Sequence, residues 1–444
     1  MRDIGDAWLA GFHGLITIQS GNLNARSFFP ETEDHITSRR ERIARSLAVV
    51  IVVSLFVGFV ILSFPARKND LDFGEFYSAA QIVRQGLGRD LYKLRTQVEF
   101  QSKIAAVHVF YNHPPFEALI FVPLTFFNYN FAYTCWILVS TLLLILAALM
   151  LEARNQVTLA LCQYARIPAD FGLLLILFLT FAPATTCFLL GQDSMLMLLI
   201  YTLVFVLLLR ARDFWAGCIL ACGLFKFQLI LPFAAILLLR RRWSALTGFA
   251  AVGGLLVLVS IAISSYRVLV AYPKLLFVNR AYQHIGGFDP AFMPNVRGFL
   301  YLLGGRELPA SVFALGVTVV SLFLLWFAAR NWRDEQLGLS FSLCVFAALL
   351  ASYHLYNYDL SLLLLPISIV SGEHAKQNRL LCAPVIFTTA LIVLFVPPVH
   401  YLLLRWSLYA LMFIPIAILF LHVISLLRRP PIPPPLGIVG AADV

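Results

Sequence analysis

This chain is poor in charge and poor in cysteine. Charged residues make up 13% of its 444 positions, against 60% hydrophobic, and the mean hydropathy is +0.85. That leaves too little polar side chain to coat the surface of a soluble domain. The seven cysteines (Cys135, Cys162, Cys187, Cys218, Cys222, Cys344 and Cys382) lie mostly within apolar stretches. They form no Cys-x-x-Cys pair and no Cys/His ligand spacing, so a zinc module is excluded and small buried hydrophobes are expected. Strand-like alternation is also missing from the apolar runs, which argues against an outer-membrane barrel. No cleavable signal peptide is expected: the first 38 residues are polar and mixed, and the first long apolar run, Ser46–Phe64, reads as a retained span.

What is present is a series of long runs rich in Leu, Phe and Ala, and a backbone crossing lipid must satisfy its own hydrogen bonds as helix. Spans are predicted at about 46–64, 130–151, 171–189, 194–209, 244–264, 311–329, 337–353, 359–371, 380–397 and 402–427. The stretch Trp215–Leu239 is interrupted by Lys226-Phe227-Gln228 and flanked on both sides by arginines (Arg210, Arg212; Arg240, Arg241, Arg242), so two short helices with Lys226 at their turn are predicted. The total is about twelve. The fold class is therefore all-α, a polytopic membrane protein. Pro115–Phe127 reads as a half-span or a kinked start of the next helix.

The net charge of +10 has a topological explanation rather than a nucleic-acid one. Arg154, Arg166, Arg210, Arg212, Arg240 to Arg242, Arg330, Arg333, Lys376 and Arg379 sit in short loops predicted to be cytoplasmic, whereas 191–194, 353–359 and 397–401 carry no Lys or Arg. This division predicts a cytoplasmic N-terminal segment 1–45, a membrane domain 46–427 and a cytoplasmic proline-rich tail 428–444. Two long loops, 65–114 and 265–309, then face outward. Helical spacing in the first predicts amphipathic helices lying on the outer face of the bilayer.

Several motifs run in order along the chain: Asp72-Phe73-x3-Tyr77, Gly86-x-Gly88-x2-Leu91-Tyr92, Tyr111-x2-Pro114-Pro115-Phe116, Gly191-Gln192, Gly223-Leu224-Phe225-Lys226 and Ser352-Tyr353-His354-x3-Tyr358-Asp359. In this order the chain resembles family 87 of the glycosyltransferases, polyprenyl-phosphate-sugar-dependent enzymes of the GT-C fold. Two positions depart from the family's habit, Asp193-Ser194 after Gly191-Gln192 and Phe227 after Lys226. The resemblance implies a lipid-linked sugar donor, a lipid or glycan acceptor and a hexose such as mannose. It also implies a site at the outer face of a bacterial cytoplasmic membrane.

Such a transfer needs a base for the acceptor hydroxyl, donors or positive charge for the departing phosphate, and a groove open to lipid. Asp72 fits the base, with Asp70 its neighbour in competition; the plain alternative is that Asp72 caps the following helix. Lys226, Arg297 and His354 are candidates for the phosphate, because a cation within apolar sequence is costly and is kept for a partner or a cavity. Gln192 and Tyr77 join them as substrate-binding candidates on the motifs above, and Asp193 and Asp359 stand out as carboxylates at the edges of spans. No metal cluster is visible in the sequence, and neither metal nor cofactor is expected. Membrane lipids are the expected surroundings and nucleic acid is not a partner. A non-catalytic transporter or flippase is the alternative, but it would favour repeats and mid-membrane charges. A structural partner in an envelope-synthesis complex is a third reading.

Overall fold

The computed structural model describes residues 50–63, 71–104, 109–155, 171–278, 289–376 and 385–428. Asp70, the segment 1–45 and all but the first residue of the 428–444 tail lie outside the described residues, as do Cys162 and Cys382. The described residues are helical, with no strand among them. Six helical stretches are long and apolar enough to cross a membrane: Tyr129–Leu151, Asp213–Leu239, Trp243–Ser264, Ala310–Arg330, Asp334–Ala351 and Tyr409–Leu427. The pair Val385–Phe395 and Pro397–Arg405, bent by 69°, makes a seventh if it is one broken span.

Several expected spans are shorter or broken, for identifiable reasons. The run 171–189 divides into Phe171–Thr180 and Ala182–Leu190, with Pro183 in the first turn of the second helix, where its missing N–H costs nothing. The expected span 402–427 is not continuous: Pro397 and Pro398 start a separate helix ending at Arg405, and a turn with Ser407 at φ 55° precedes Tyr409–Leu427. The run 359–371 begins as a tight 3-10 segment, Tyr358–Leu363, before its α-helix.

Asp213–Leu239 meets the length and hydropathy of a single span, but its ends lie together. Arg242 pairs with Asp213 at 3.1 Å, whereas a straight helix of 27 residues would be about 40 Å long. The stretch therefore folds back at the 3-10 turn Gly223–Lys226. Both arms start from the arginine-bearing end. The first arm lies against Trp243–Ser264, and a Cβ on Gly217 or Gly248 would run into the carbonyl of Ala245 or Phe214, so glycine lets the two backbones touch.

Arg242 also pairs with Asp334, and Arg240 lies 4.0 Å from the same carboxylate. One end of the bundle thus collects the arginine turns. The 16-residue helix Ser194–Leu209 and the 15-residue helix Leu337–Ala351 lead from that end to the other, a rise of about 22–24 Å. At that far end the helix Phe73–Arg84, expected to lie on the membrane surface, is instead buried almost all round. Its Phe73 and Phe76 rings pack on Phe121, and Arg84 donates to the Thr125 carbonyl, so the run Pro115–Phe126 covers one side of it. Leu94–Ser102, by contrast, buries only Gln97, Phe100 and Gln101.

Candidate active site

Asp72 opens the Phe73–Arg84 helix, yet its side chain caps nothing. Its carboxylate instead accepts a hydrogen bond from Gln192 Nε2 at 2.6 Å, across 120 residues of sequence. Loss of water around it pushes its pKa up to about 6, against the opposing effects of the Gln192 hydrogen bond and the positive charge of Lys226. A half-buried carboxylate in this range is ionised at neutral pH and basic enough to accept a proton.

The turn that carries Gln192 is fixed by packing. Gly191 has φ +70°, and a Cβ there would strike Phe73 and Tyr133. Trp136 Nε1 donates to the Gly191 carbonyl at 2.9 Å, and the Tyr133 hydroxyl donates to the Phe188 carbonyl at 3.2 Å. Glycine here lets the chain turn left-handed directly under the aromatic cluster.

Lys226 stands at the tip of the folded-back hairpin, 1% exposed. Its ammonium contacts Asp193 Oδ1 at 2.6 Å, Asp359 Oδ1 at 2.6 Å and Ser194 Oγ at 2.7 Å. The ring of Tyr358 lies 5.0 Å away. Three protons meet three oxygen partners, so the charge expected to serve a phosphate is already committed to two carboxylates. Asp359 also accepts from the Ser194 hydroxyl and from the Tyr356 N–H. Three connections between helices are thereby tied to one ammonium.

Beside this triad lies a second cluster. His113 Nδ1 is 2.9 Å from Glu117 Oε2, and His113 Nε2 is 4.0 Å from Glu75 Oε1. The Tyr111 hydroxyl donates to Pro114 O at 2.8 Å and reaches Glu117 Oε2 at 3.3 Å. Tyr92 and Tyr272 hold the backbone here, through the carbonyls of His113 and Asn112. Burial raises the Glu75 carboxyl well above its usual range, only partly countered by His113.

A cavity of about 340 Å³ opens next to these groups. His113, Lys226, Asp359 and His354 form its polar end, and Leu231, Pro232, Ala235 and Leu325 extend it as an apolar groove. Burial, with Arg297 and His113 nearby, lowers the His354 pKa to about 3, so this imidazole is neutral at pH 7. Arg297 sits at the rim. Its guanidinium lies 4.3 Å over the Tyr353 ring and 3.4 Å from the Tyr353 carbonyl, and no carboxylate among the described residues pairs with it. Asn295 fixes that segment by accepting from Gly298 N and donating to the Ser352 carbonyl.

Among the sequence candidates, then, Lys226 and His354 line the cavity, Arg297 lies over Tyr353 of its wall, and Asp72 with Gln192 stands outside that lining, near enough for the Lys226 charge to act on the Asp72 carboxyl. Tyr77 does not reach the cavity: its hydroxyl donates to the Phe127 carbonyl at 2.7 Å and its ring packs on Tyr129. Asp70 is outside the described residues. Glu75, His113 and Glu117 were not singled out in the sequence, although His113-x3-Glu117 has the spacing that brings two side chains onto one face.

The model of glycosyltransferase family 87 matches residues 111–352, more than half of the chain. That stretch carries His113, Glu117, Gln192, Asp193, Lys226 and Arg297, while Asp72 precedes it and His354 and Asp359 follow it. No curated protein and no solved structure matches the chain. This is a membrane-helical protein, and it belongs to glycosyltransferase family 87.

Proposed function

We propose that this chain moves a sugar, a hexose such as mannose, from a polyprenyl-phosphate-linked donor to a lipid or glycan acceptor. The reaction takes place at the outer face of a bacterial cytoplasmic membrane, in a GT-C type fold of about twelve crossings. Family membership supports the transferase class; the donor, the acceptor and the sidedness are this proposal's own. The observation that carries it is Asp72: a carboxylate released from helix capping, held by Gln192 and raised to about 6.

The acceptor hydroxyl oxygen attacks the anomeric carbon while its proton passes to the Asp72 carboxylate. The bond from that carbon to the phosphate oxygen breaks, and polyprenyl phosphate departs with the electron pair, inverting the centre. Arg297, held over the Tyr353 ring and without a carboxylate partner among the described residues, meets the phosphate. Neutral His354 serves as a hydrogen-bonding group. Lys226 holds Asp193 and Asp359 in place. The groove along Leu231, Pro232 and Leu325 takes the isoprenoid chain. A site some 22–24 Å from the arginine turns lies near the far interface of a bilayer with a hydrocarbon core of about 30 Å, which suits a phosphate at the head-group level.

The test is Asp72→Asn in reconstituted enzyme. Transfer falls by roughly 10²–10⁴-fold with donor binding retained. Near-normal transfer by this variant together with an inactive Asp70→Asn moves the base to Asp70; near-normal transfer by both overturns the mechanism.

A further inference from the structure

We propose that His113, Glu117 and Asp193 form a binding site for a divalent transition-metal cation of the Mn²⁺ or Zn²⁺ class. One ligand atom from each of the three lies within 4.8 Å of the others. Ligands held about 2.1 Å from a common ion sit about 3–4 Å apart, so a small contraction of this cluster closes a shell.

Glu75 is the independent sign that something belongs there. It comes from another helix, is 4% exposed, and directs Oε1 toward His113 Nε2 at 4.0 Å, while its Oε2 has no hydrogen-bond partner. Glu117 Oε1 is likewise buried without a partner. Buried carboxylate oxygens are seldom left so, because losing water without a replacement is costly.

Charge points the same way. Asp72, Glu75, Glu117, Asp193 and Asp359 gather around one ammonium and one imidazole, and that ammonium is taken by Asp193 and Asp359. His113 is the nearest cationic partner of Glu75 and Glu117, and Glu117 also faces the Asp193 carboxyl within hydrogen-bonding reach, so a proton or a cation must lie between those two acids. A cation between Glu117, Asp193 Oδ2 and the imidazole would supply the missing positive charge. Tyr111 braces the Glu117 carboxylate from outside, as outer partners do at metal sites, while Tyr92 and Tyr272 hold the backbone at His113 and Asn112. A nitrogen ligand among oxygens favours Mn²⁺ or Zn²⁺ over Ca²⁺. Because His113 lines the cavity, the ion would also meet an anionic phosphate; that consequence rests on the proposed transferase reading, whereas the site itself does not.

The experiment needs no donor. Full-length protein in detergent, stripped with EDTA and shown to be monodisperse, is titrated with Mn²⁺ while the free-ion EPR signal is read. One ion per chain should bind and be displaced by Zn²⁺. His113→Gln and Glu117→Gln should weaken binding by roughly 100-fold or more, and Glu75→Gln by roughly 10–100-fold, the range for an outer partner. Glu335→Gln, exposed at the arginine end, should bind as wild type does. Stripped wild-type protein that takes up neither ion overturns the proposal whatever the variants do, and so does unchanged binding in a folded His113→Gln or Glu117→Gln. In either case Asp72→Asn would still report separately on transfer.

Discussion

The two ends of the bundle handle charge in opposite ways. At the arginine end, Arg242 reaches Asp213 and Asp334 on partly exposed side chains, with Trp332 beside it. At the site end, Lys226, Asp193 and Asp359 form an equally close network with almost no exposure. The first is what short arginine-bearing turns between membrane helices do at little cost: nearby carboxylates pair with the guanidiniums in partly hydrated surroundings. Taking the second out of water costs several kcal/mol per ion. Such a network persists where the chain gains something other than stability, and here it organises the walls of a cavity.

The largest expected effect tests that contrast directly. Lys226→Met keeps the bulk of the side chain but leaves two buried carboxylates unpaired, which should destabilise the protein by about 3–5 kcal/mol in a detergent unfolding titration. Adding Asp359→Asn should recover part of the loss, because one uncompensated charge disappears. A Lys226→Met protein as stable as wild type would mean that Asp193 and Asp359 take up protons freely, and the two ends would then differ only in exposure.

Arg297 sharpens the comparison from the cavity rim. It is a cation at the site end that no described carboxylate neutralises, and stacking on Tyr353 fixes its plane. If it meets the donor phosphate, Arg297→Gln should weaken donor binding by about 1.5–3 kcal/mol, the worth of a charge-assisted hydrogen bond, with little effect on unfolding. Lys226 variants should show the reverse pattern, with a large stability loss. Equal donor affinity in wild type and folded Arg297→Gln would remove this guanidinium from the phosphate.

The contrast also marks how far the sequence could be read. The helical membrane class was legible because runs near bilayer length need no tertiary information, and Lys226 stood out because an ammonium in apolar sequence has few reasons to survive. Arginines on both flanks of Trp215–Leu239 point to the fold-back that the Arg242–Asp213 contact requires. The break at Pro397 is legible, since a span ends there in the sequence and 397–401 reads as a turn, whereas the break at Ser407 is not, because the hydropathy on either side outweighs it. Phe73–Arg84 reads as a surface helix because its apolar residues recur at helical spacing with polar ones between, whereas one of those polar residues, Glu75, faces His113 in the interior. What was not legible is the meeting of Glu75, His113, Glu117 and Asp193. Their union depends on packing between the Phe73–Arg84 helix, the proline-bounded run Pro115–Phe126 and a glycine turn, and no spacing rule reports it.

A smaller effect is expected from pH. With its carboxyl raised to about 6, Asp72 is the inactive acid at pH 5 and the active base at pH 7. The kcat/KM of transfer should therefore rise with pH up to about 6 and fall about tenfold for each unit below it. The sign for stability is opposite: a raised carboxyl favours the folded state when protonated, so that contribution is lost as pH rises through about 6. A profile flat from pH 5 to 7 would take Asp72 out of the proton transfer.

The smallest effect belongs to the arginine end. Each pair of Arg242 is partly exposed, so the gain in Coulomb energy is offset by hydration and by the ordering of long side chains. Arg242→Gln should cost about 1 kcal/mol or less in the same unfolding titration. Salt separates the two ends more cleanly than the magnitudes do. Between about 0.1 M and 1 M salt the screening length falls from about 10 Å to about 3 Å, which erodes a solvated pair and leaves a dry one almost untouched. The stability difference between wild type and Arg242→Gln should therefore shrink toward zero at high salt, while that between wild type and Lys226→Met persists. If Arg242→Gln cost as much as Lys226→Met, or kept its full effect at 1 M salt, the arginine turns would be as buried in their energetics as the site, and the division of labour between the two ends would fail.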